Sequence, residues 1–385
     1  MGVNFEFASA AKIIFGNNAF EKVPDIILSS GKRVLIVTGK NTQRAELLAE
    51  KLIQKNGKAL IFSVETEPTT DIIEEAVCLA RAENCSVVAG LGGGSVIDSA
   101  KAIAAMAPNK GSLFDFLEVI GLGKPLVETP LPCIAVSTTA GTGAEVTKNS
   151  VIKSAKHKVK VSLRSDKMYP CAAVIDPVLT YSMPPSLTAS TGMDALTHLL
   201  ETFVSNQSNP FIDMICREGM RRVSASLLNA FKNGNDFEAR EDMAMAGMLG
   251  GIALANARLG AVHGFSGPMG GMYPIAHGEI CASLLAAVIE INIAAIKKQN
   301  KFSLLEKFSE IACIFSGNVD ATAEDGIESI KKLVSELNIP RLSAFGLTSC
   351  EFPELVENAK NSSSMKGNPV ILSDDELYAA LEKSL

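Results

Sequence analysis

Residues 87–106 read VVAGLGGGSVIDSAKAIAAM, and this stretch decides the fold. Val87–Leu91 is a short apolar run, the pattern of a strand buried on both faces. It passes directly into Gly92-Gly93-Gly94-Ser95 and then into Val96–Met106, whose apolar positions fall three and four apart, as on a helix. Strand, glycine turn and helix in succession form the first half of a βα unit. The turn also has a chemistry. Glycines let the backbone approach a diphosphate, and the free N–H groups of a helix start attract anions through hydrogen bonds and the dipole. Ser95 adds a hydroxyl. A GGGS turn alone also arises for steric reasons, so its position behind a buried strand is what gives it weight.

Outward from this stretch, Arg33–Thr38, Ala59–Val64, Cys133–Val136 and Ala172–Ile175 read as further buried strands. Thr42–Asn56 and Thr70–Asn84 carry helical spacing between them. Strand–helix alternation predicts a parallel sheet covered by helices on both faces, a Rossmann-like α/β domain. Asn4–Ala8 and Lys12–Phe15 are expected to form a small hairpin ahead of it. The character changes at Asp176-Pro177 and Met183-Pro184-Pro185, beyond which helical patterns dominate. Two prolines with Ser186 available as a cap announce a helix, and Asp374–Ser384 is a closing amphipathic one. The expected domains are 1–180, dinucleotide-binding α/β, and 181–385, all-helical and metal-binding.

Bulk composition narrows the function. A chain of 385 residues exceeds one ordinary core, and 47% apolar with 20% charged residues is the composition of a globular protein. A net charge of −6 argues against nucleic acid. Lys153, Lys156, Lys158, Lys160, Arg164 and Lys167 form one basic run, expected as a solvated loop face. MGVNFEFASAAKIIFG lacks the pattern of a secretory signal. Met243–Ala257, the longest uncharged apolar run, falls short of the ~20 residues needed to span a bilayer and reads as a buried helix. The expectation is a cytoplasmic protein without a membrane. The eight cysteines show no CxxC spacing and read as reduced core residues.

Two further clusters point to ligands. Residues 137–147, STTAGTGAEVT, place hydroxyls and glycines at the end of the strand finishing at Val136, where open α/β sheets bind ligands. Together with the glycine turn, this fits a dinucleotide better than one phosphate. The chain has only four histidines. Asp194 and His198 lie four apart in a helical pattern, on one face and able to share an ion. Met193, Leu196, Leu199 and Leu200 surround them with apolar side chains, where a carboxylate needs a partner. Glu201, on nearly the same face, is a candidate to support a ligand. His263 and His277 sit in glycine-rich stretches. Each histidine alone reads as a satisfied core residue as readily as a ligand; the group is what suggests a metal.

In this order, these motifs resemble the iron-containing (group III) alcohol dehydrogenases. The resemblance spans nearly the whole chain, through Gly92–Ser95 with Asp98 and Lys101, Thr138–Thr147, Asp176–Thr180 and Thr191–His198. It implies the dehydroquinate-synthase-like architecture, with the active site in the cleft between the domains. It also implies a metal held by Asp194, His198, His263 and His277, with Fe²⁺ favoured and Zn²⁺ allowed by the donor set. Gly39, Gly93, Gly94, Ser95, Asp98, Thr138, Thr139, Thr142, Thr147, Lys160 and Leu179 would surround NADP or NAD, with Lys160 at the nicotinamide ribose. The substrate would be a small alcohol or aldehyde, and the protein a homodimer or larger homo-oligomer. Two departures matter. Gly39 stands where NAD-preferring members often carry an acidic residue, with Lys40 and Arg44 nearby, which favours NADP. Gly267 replaces a further histidine thought to relay a proton, so no catalytic side chain is expected beyond the metal site.

Two rival readings share the motifs. A dehydroquinate-synthase-like lyase would need Arg and Lys around a phosphorylated, carboxylated substrate. Around His263 and His277 the sequence offers mostly Gly, Met, Phe and Pro, with Arg258 the only nearby cation, so an apolar pocket for a simple alcohol fits better. A nucleotide-binding protein with weakened catalysis would explain Gly267 but not an intact metal quartet.

Overall fold

The computed structural model describes residues 4–157 and 159–385, so Lys158 of the basic run lies outside the described residues. The described residues divide into two compact units, one of Ala8–Tyr181 and one of Ser182–Leu385 with residues 4–7.

The first unit contains β1 (Ile13–Phe15), α1 (Val23–Ser30), β2 (Arg33–Thr38), α2 (Gln43–Gln54), β3 (Lys58–Ser63), α3 (Thr70–Ala82), β4 (Val87–Gly92) and α4 (Gly94–Met106). It continues with β5 (Cys133–Ser137), β6 (Asn149–Ser154), β7 (Val159–Arg164) and β8 (Ala172–Ile175). Six strands form one sheet in the order β1-β8-β5-β4-β2-β3, and all its pairings are parallel. Along β2, Val34 and Ile36 enter a core with Ile27, Leu48 and Leu52, while Leu35 and Val37 enter another with Ile73, Val77 and Ile103. Burial on both faces is why the strand reads as one unbroken apolar run. The chain steps outward from β2 to β3 and returns across β2 to β4. Winding therefore reverses between β2 and β4, and the carboxyl ends of these strands, at Thr38 and Gly92, flank the place where such sheets bind ligands.

Three local expectations need correction. No hairpin precedes the sheet: Ile13–Phe15 pairs in parallel with β8, whose edge satisfies its backbone groups. Asn4–Ala8 is not a strand, and Phe5 and Phe7 instead pack on Phe211 with ring centroids 6.0 and 4.8 Å apart. The basic run is not simply a loop face; Lys153, Lys160 and Arg164 lie on the strands of the antiparallel β6–β7 hairpin. Alternation along the hairpin turns Ile152, Val161 and Leu163 inward, while Lys160 pairs with Glu67 and Arg164 with Glu118. Ser186 caps nothing: Pro184 holds the cap position of the next helix with no side-chain hydrogen bond.

The second unit is built from α5 (Pro185–Val204), α6 (Pro210–Lys232), α7 (Phe237–Asn256), α8 (Ala261–Met272), α9 (His277–Lys298), α10 (Leu305–Ser316), α11 (Ala323–Glu336), α12 (Phe352–Asn361) and α13 (Asp374–Ser384). Helices α6, α7 and α9 pack around α5, so its side chains from Thr188 to Val204 are buried except at Thr191. Helix α9 is long and apolar enough to cross a membrane, but 72% of its most apolar window is buried inside the fold. That is how a core helix presents itself.

Lys101 on α4 is buried with its ammonium inside a ring of acceptors. It donates to Ala144 O and Thr147 Oγ1, both at 2.9 Å, and to Asn149 O, and it pairs with Asp98 at 3.0 Å. One cation thus pins the 137–147 loop and the start of β6 to α4. Removing one partner of a buried ionic group costs about 3–5 kcal/mol because the others are left unpaired. Lys101→Met is expected to lower the unfolding free energy by about that much, read from denaturant midpoints at constant m-value; a change within about 0.5 kcal/mol would show that the acceptors find other partners.

Candidate metal centre and cofactor cradle

Three helices of the second unit converge on one carboxylate. The i,i+4 spacing on α5 sets Asp194 and His198 on one face, with His198 Nε2 3.7 Å from Asp194 Oδ1. His263 arrives from the first turn of α8 at 3.7 Å and His277 from the first residue of α9 at 3.6 Å, both through Nε2 to the same oxygen. These separations are too long for hydrogen bonds, and Asp194 Oδ1, in a residue only 3% exposed, has no hydrogen-bond partner. A buried carboxylate oxygen faced by three imidazole nitrogens is a donor set that could hold a cation. Bonds of ~2.0–2.2 Å from a divalent ion place neighbouring donors roughly 3.3–3.6 Å apart, close to the 3.6–3.7 Å between Asp194 Oδ1 and each nitrogen.

Close backbone packing brings α9 into range. A Cβ on Gly278 would lie 2.2 Å from Ser190 O, so only glycine after His277 lets α9 start against α5. Glu201, one turn beyond His198, fixes the His263 ring. No side chain caps α8 at its own Gly260; Glu201 Oε1 accepts from Val262 N at 2.7 Å, and Oε2 accepts from His263 N at 3.4 Å and from His263 Nδ1 at 2.7 Å. The carboxylate therefore closes the helix start and sets the tautomer that directs Nε2 toward Asp194. Burial alone would raise the Asp194 pKa, but His198, His277 and His263 more than offset it and hold the carboxyl well below its ordinary range. Burial likewise disfavours charge on His263, but Cys281, Asp194 and Glu201 hold its pKa well above the imidazole norm. A centre that favours positive charge so strongly takes up protons or a divalent ion, and the two compete.

The sequence reading missed Cys281. Its Sγ joins Asp194, His263 and His277 in a set whose donor atoms all lie within 4.8 Å of one another. The signal was present, since Cys281 follows His277 by the same four residues that separate Asp194 and His198. Nor are all the cysteines core residues, because Cys78 and Cys350 are exposed. Gly267 lies one turn after His263, and a Cβ there would meet nothing within 4 Å. The fourth histidine, His157, is engaged elsewhere, its Nδ1 2.9 Å from Ser154 Oγ.

In the first unit the glycine turn and the 137–147 loop press together. A Cβ on Gly93 would lie 3.0 Å from Thr139 Cγ2, and one on Gly94 2.9 Å from Thr142 Cγ2. Thr138 N donates to Gly92 O at 3.0 Å. Helix α4 begins at Gly94 without a side-chain cap, and the buried Thr139 hydroxyl has no partner. Uncapped N–H groups, a spare hydroxyl and glycines without room for side chains suit a diphosphate. Ser95 stands in that first turn. Other expected cofactor residues already have protein partners: Asp98 accepts from Val151 N at 3.0 Å, Thr147 from Lys101, and Leu179 O from Arg44 at 3.0 Å. Arg44 is thus drawn toward the end of β8 rather than free beside Gly39. At Gly39 itself a Cβ would touch only Val96, at 3.9 Å.

Comparison with known proteins agrees with this arrangement. Residues 10–177 match the model of the iron-containing alcohol dehydrogenases, and residues 188–385 that of the C-terminal domain of the Fe-containing alcohol dehydrogenase family. Alcohol dehydrogenase 4 of Saccharomyces cerevisiae (strain YJM789) is 34% identical over 376 residues, covering 96% of each chain. The 1,3-propanediol dehydrogenase of Klebsiella pneumoniae is 32% identical, again over 96% of each. The crystal structure of a 1,3-propanediol oxidoreductase superposes with a TM-score of 0.91 at 30% identity, covering 100% of both chains.

Glu201→Gln keeps the shape of the side chain but weakens its grip on His263 and is expected to lower metal affinity about 10–100-fold, measured by competition with a chromophoric chelator; unchanged affinity would mean that His263 is held without it. Glu145, buried in the 137–147 loop with Oε2 unpartnered, tests the loop. Burial raises its pKa from 4.5 to about 7 against the opposing pull of a backbone hydrogen bond, Lys101 and Ser137. Its neutral form is favoured on folding, so this contribution is intact below pH 4.5 and fades as pH rises through 7. Glu145→Gln should therefore gain up to about 3 kcal/mol over the parent at pH 8, with the gain vanishing near pH 4.5, in paired thermal melts.

Proposed function

From the premise that this chain belongs to the iron-containing alcohol dehydrogenase family, and is thus a metal-dependent alcohol oxidoreductase, we propose that it interconverts a small alcohol and its aldehyde or ketone using NADP(H). Asp194, His198, His263 and His277 would hold one divalent ion. The cofactor would lie along Gly39, Gly93, Gly94, Ser95, Asp98, Thr138, Thr139, Thr142, Thr147, Lys160 and Leu179. The observation that carries this reading is the buried Asp194 oxygen, unpartnered and faced by three imidazoles at 3.6–3.7 Å.

When bound, the ion supplies Lewis acidity toward a substrate oxygen and the nicotinamide carries the hydride. The chain's own residues do the rest. Glu201 orients His263 and, with α8, shields it from water. The uncapped start of α4 and the Thr139 hydroxyl supply donors to a diphosphate. Gly39 leaves room for a 2′-phosphate, and exposed Lys40 is the cation that would meet it, since Arg44 is occupied at Leu179. With glycine at 267, no imidazole stands one turn beyond His263. Ser266 is buried and its hydroxyl turns back to His263 O at 3.4 Å, so a proton would leave through water in the open space at Gly267.

Protein purified without oxygen and supplied with Fe²⁺ or Zn²⁺ should bind one equivalent and oxidise NADPH faster than NADH with short aldehydes. His263→Ala should lose both metal and turnover. A clear NADH preference would overturn the NADP assignment, and folded protein that binds no ion would overturn the metal centre.

A further inference from the structure

We propose that Cys281 is itself a donor to the metal, and that its thiolate makes this centre select Zn²⁺ over Fe²⁺. The inference rests on the reading of Asp194, His263 and His277 as ligands and adds a donor to them. Cys281 is fully buried one turn along α9 from His277. Its Sγ lies 3.7 Å from His277 Nε2 and 3.8 Å from His263 Nε2, the nitrogens that also face Asp194 Oδ1. A zinc–sulfur bond of ~2.3 Å beside a zinc–nitrogen bond of ~2.1 Å sets sulfur and nitrogen about 3.6 Å apart at a near-tetrahedral angle.

The independent observation is the Asp194 oxygen, buried and without a hydrogen-bond partner, in the same four-donor set as the sulfur. Each of the two helices thus offers a pair of donors four residues apart, Asp194 with His198 on α5 and His277 with Cys281 on α9. His263, its ring held by Glu201, stands against both pairs, with its Nε2 near Asp194 and near Cys281. Loading the site releases the thiol proton to solvent and forms a metal–sulfur bond, with no change of oxidation state. Thiolate is soft, and against an all nitrogen-and-oxygen set it shifts preference toward Zn²⁺.

Co²⁺, a spectroscopic stand-in for Zn²⁺, tests this on the full-length protein. The expected result is visible ligand-field bands together with a near-ultraviolet sulfur-to-cobalt charge-transfer band. In Cys281→Ser and Cys281→Ala that second band should disappear while cobalt stays bound, and the Zn²⁺/Fe²⁺ affinity ratio should fall by at least about tenfold, the lower end of what even an indirect partner contributes. Cobalt bound by the parent protein without the charge-transfer band would overturn the role of Cys281 and leave the metal centre standing. No cobalt binding at all would overturn the metal centre instead. An unchanged affinity ratio in both variants would overturn the selectivity.

Discussion

A carboxylate buried in the middle of a helix is the constraint around which the helical unit is arranged. Stripping a carboxylate of water costs several kcal/mol unless opposite charge or hydrogen bonds replace the solvent. Asp194 sits on α5 where α6, α7 and α9 leave almost no access to water. Apart from His198, one turn on, its neighbours along the helix are mostly apolar, so the rest of what compensates it must come from other elements. That requirement explains why the starts of two helices, α8 and α9, point at one turn of α5, and why glycine is needed where α9 touches Ser190.

The same logic recurs with the charge reversed in the α/β unit. Lys101 is buried on α4, and its acceptors come from the loop that follows β5 and from the start of β6. One buried charge in each unit thus fixes the chain segments around its ligand region. Glu201 has a further part, closing the start of α8 and holding the His263 ring with one carboxylate. Stability and function meet in that side chain, because the groups that end a helix are also the groups that orient a ligand.

How much of this could be read from residues follows physical lines. Strands buried on both faces announce themselves as unbroken apolar runs, so β2, β4 and β8 were legible. The β6–β7 hairpin was hidden by its cations, since a strand pair with one polar face looks like a charged loop when alternation is masked by Lys and Arg. The short β1 could not be paired correctly because nothing in Ile13–Phe15 states which edge it will join. Asp194 with His198 was visible through helical spacing, and Glu201 through its place on the same face. Cys281 obeyed the same spacing but was read as a core cysteine, because a thiol among apolar residues looks alike whether or not donors surround it. What Arg44 touches depends on the loop after β8, far away in sequence, and no local pattern could reveal it.

The donors around Asp194 differ in their contact with solvent. The side chains of Asp194, His198 and His263 are only 4–6% exposed, whereas that of His277 is 40% exposed. Retention of an ion held there as proposed would then be governed by a rate as much as by an affinity. His277, at the first position of α9, is the donor that solvent reaches, so an ion held as proposed would arrive and depart on its side. On that reading the buried donors would set the equilibrium constant and the exposed one the exchange lifetime, so a chelator would strip the centre from the solvent side of a folded protein.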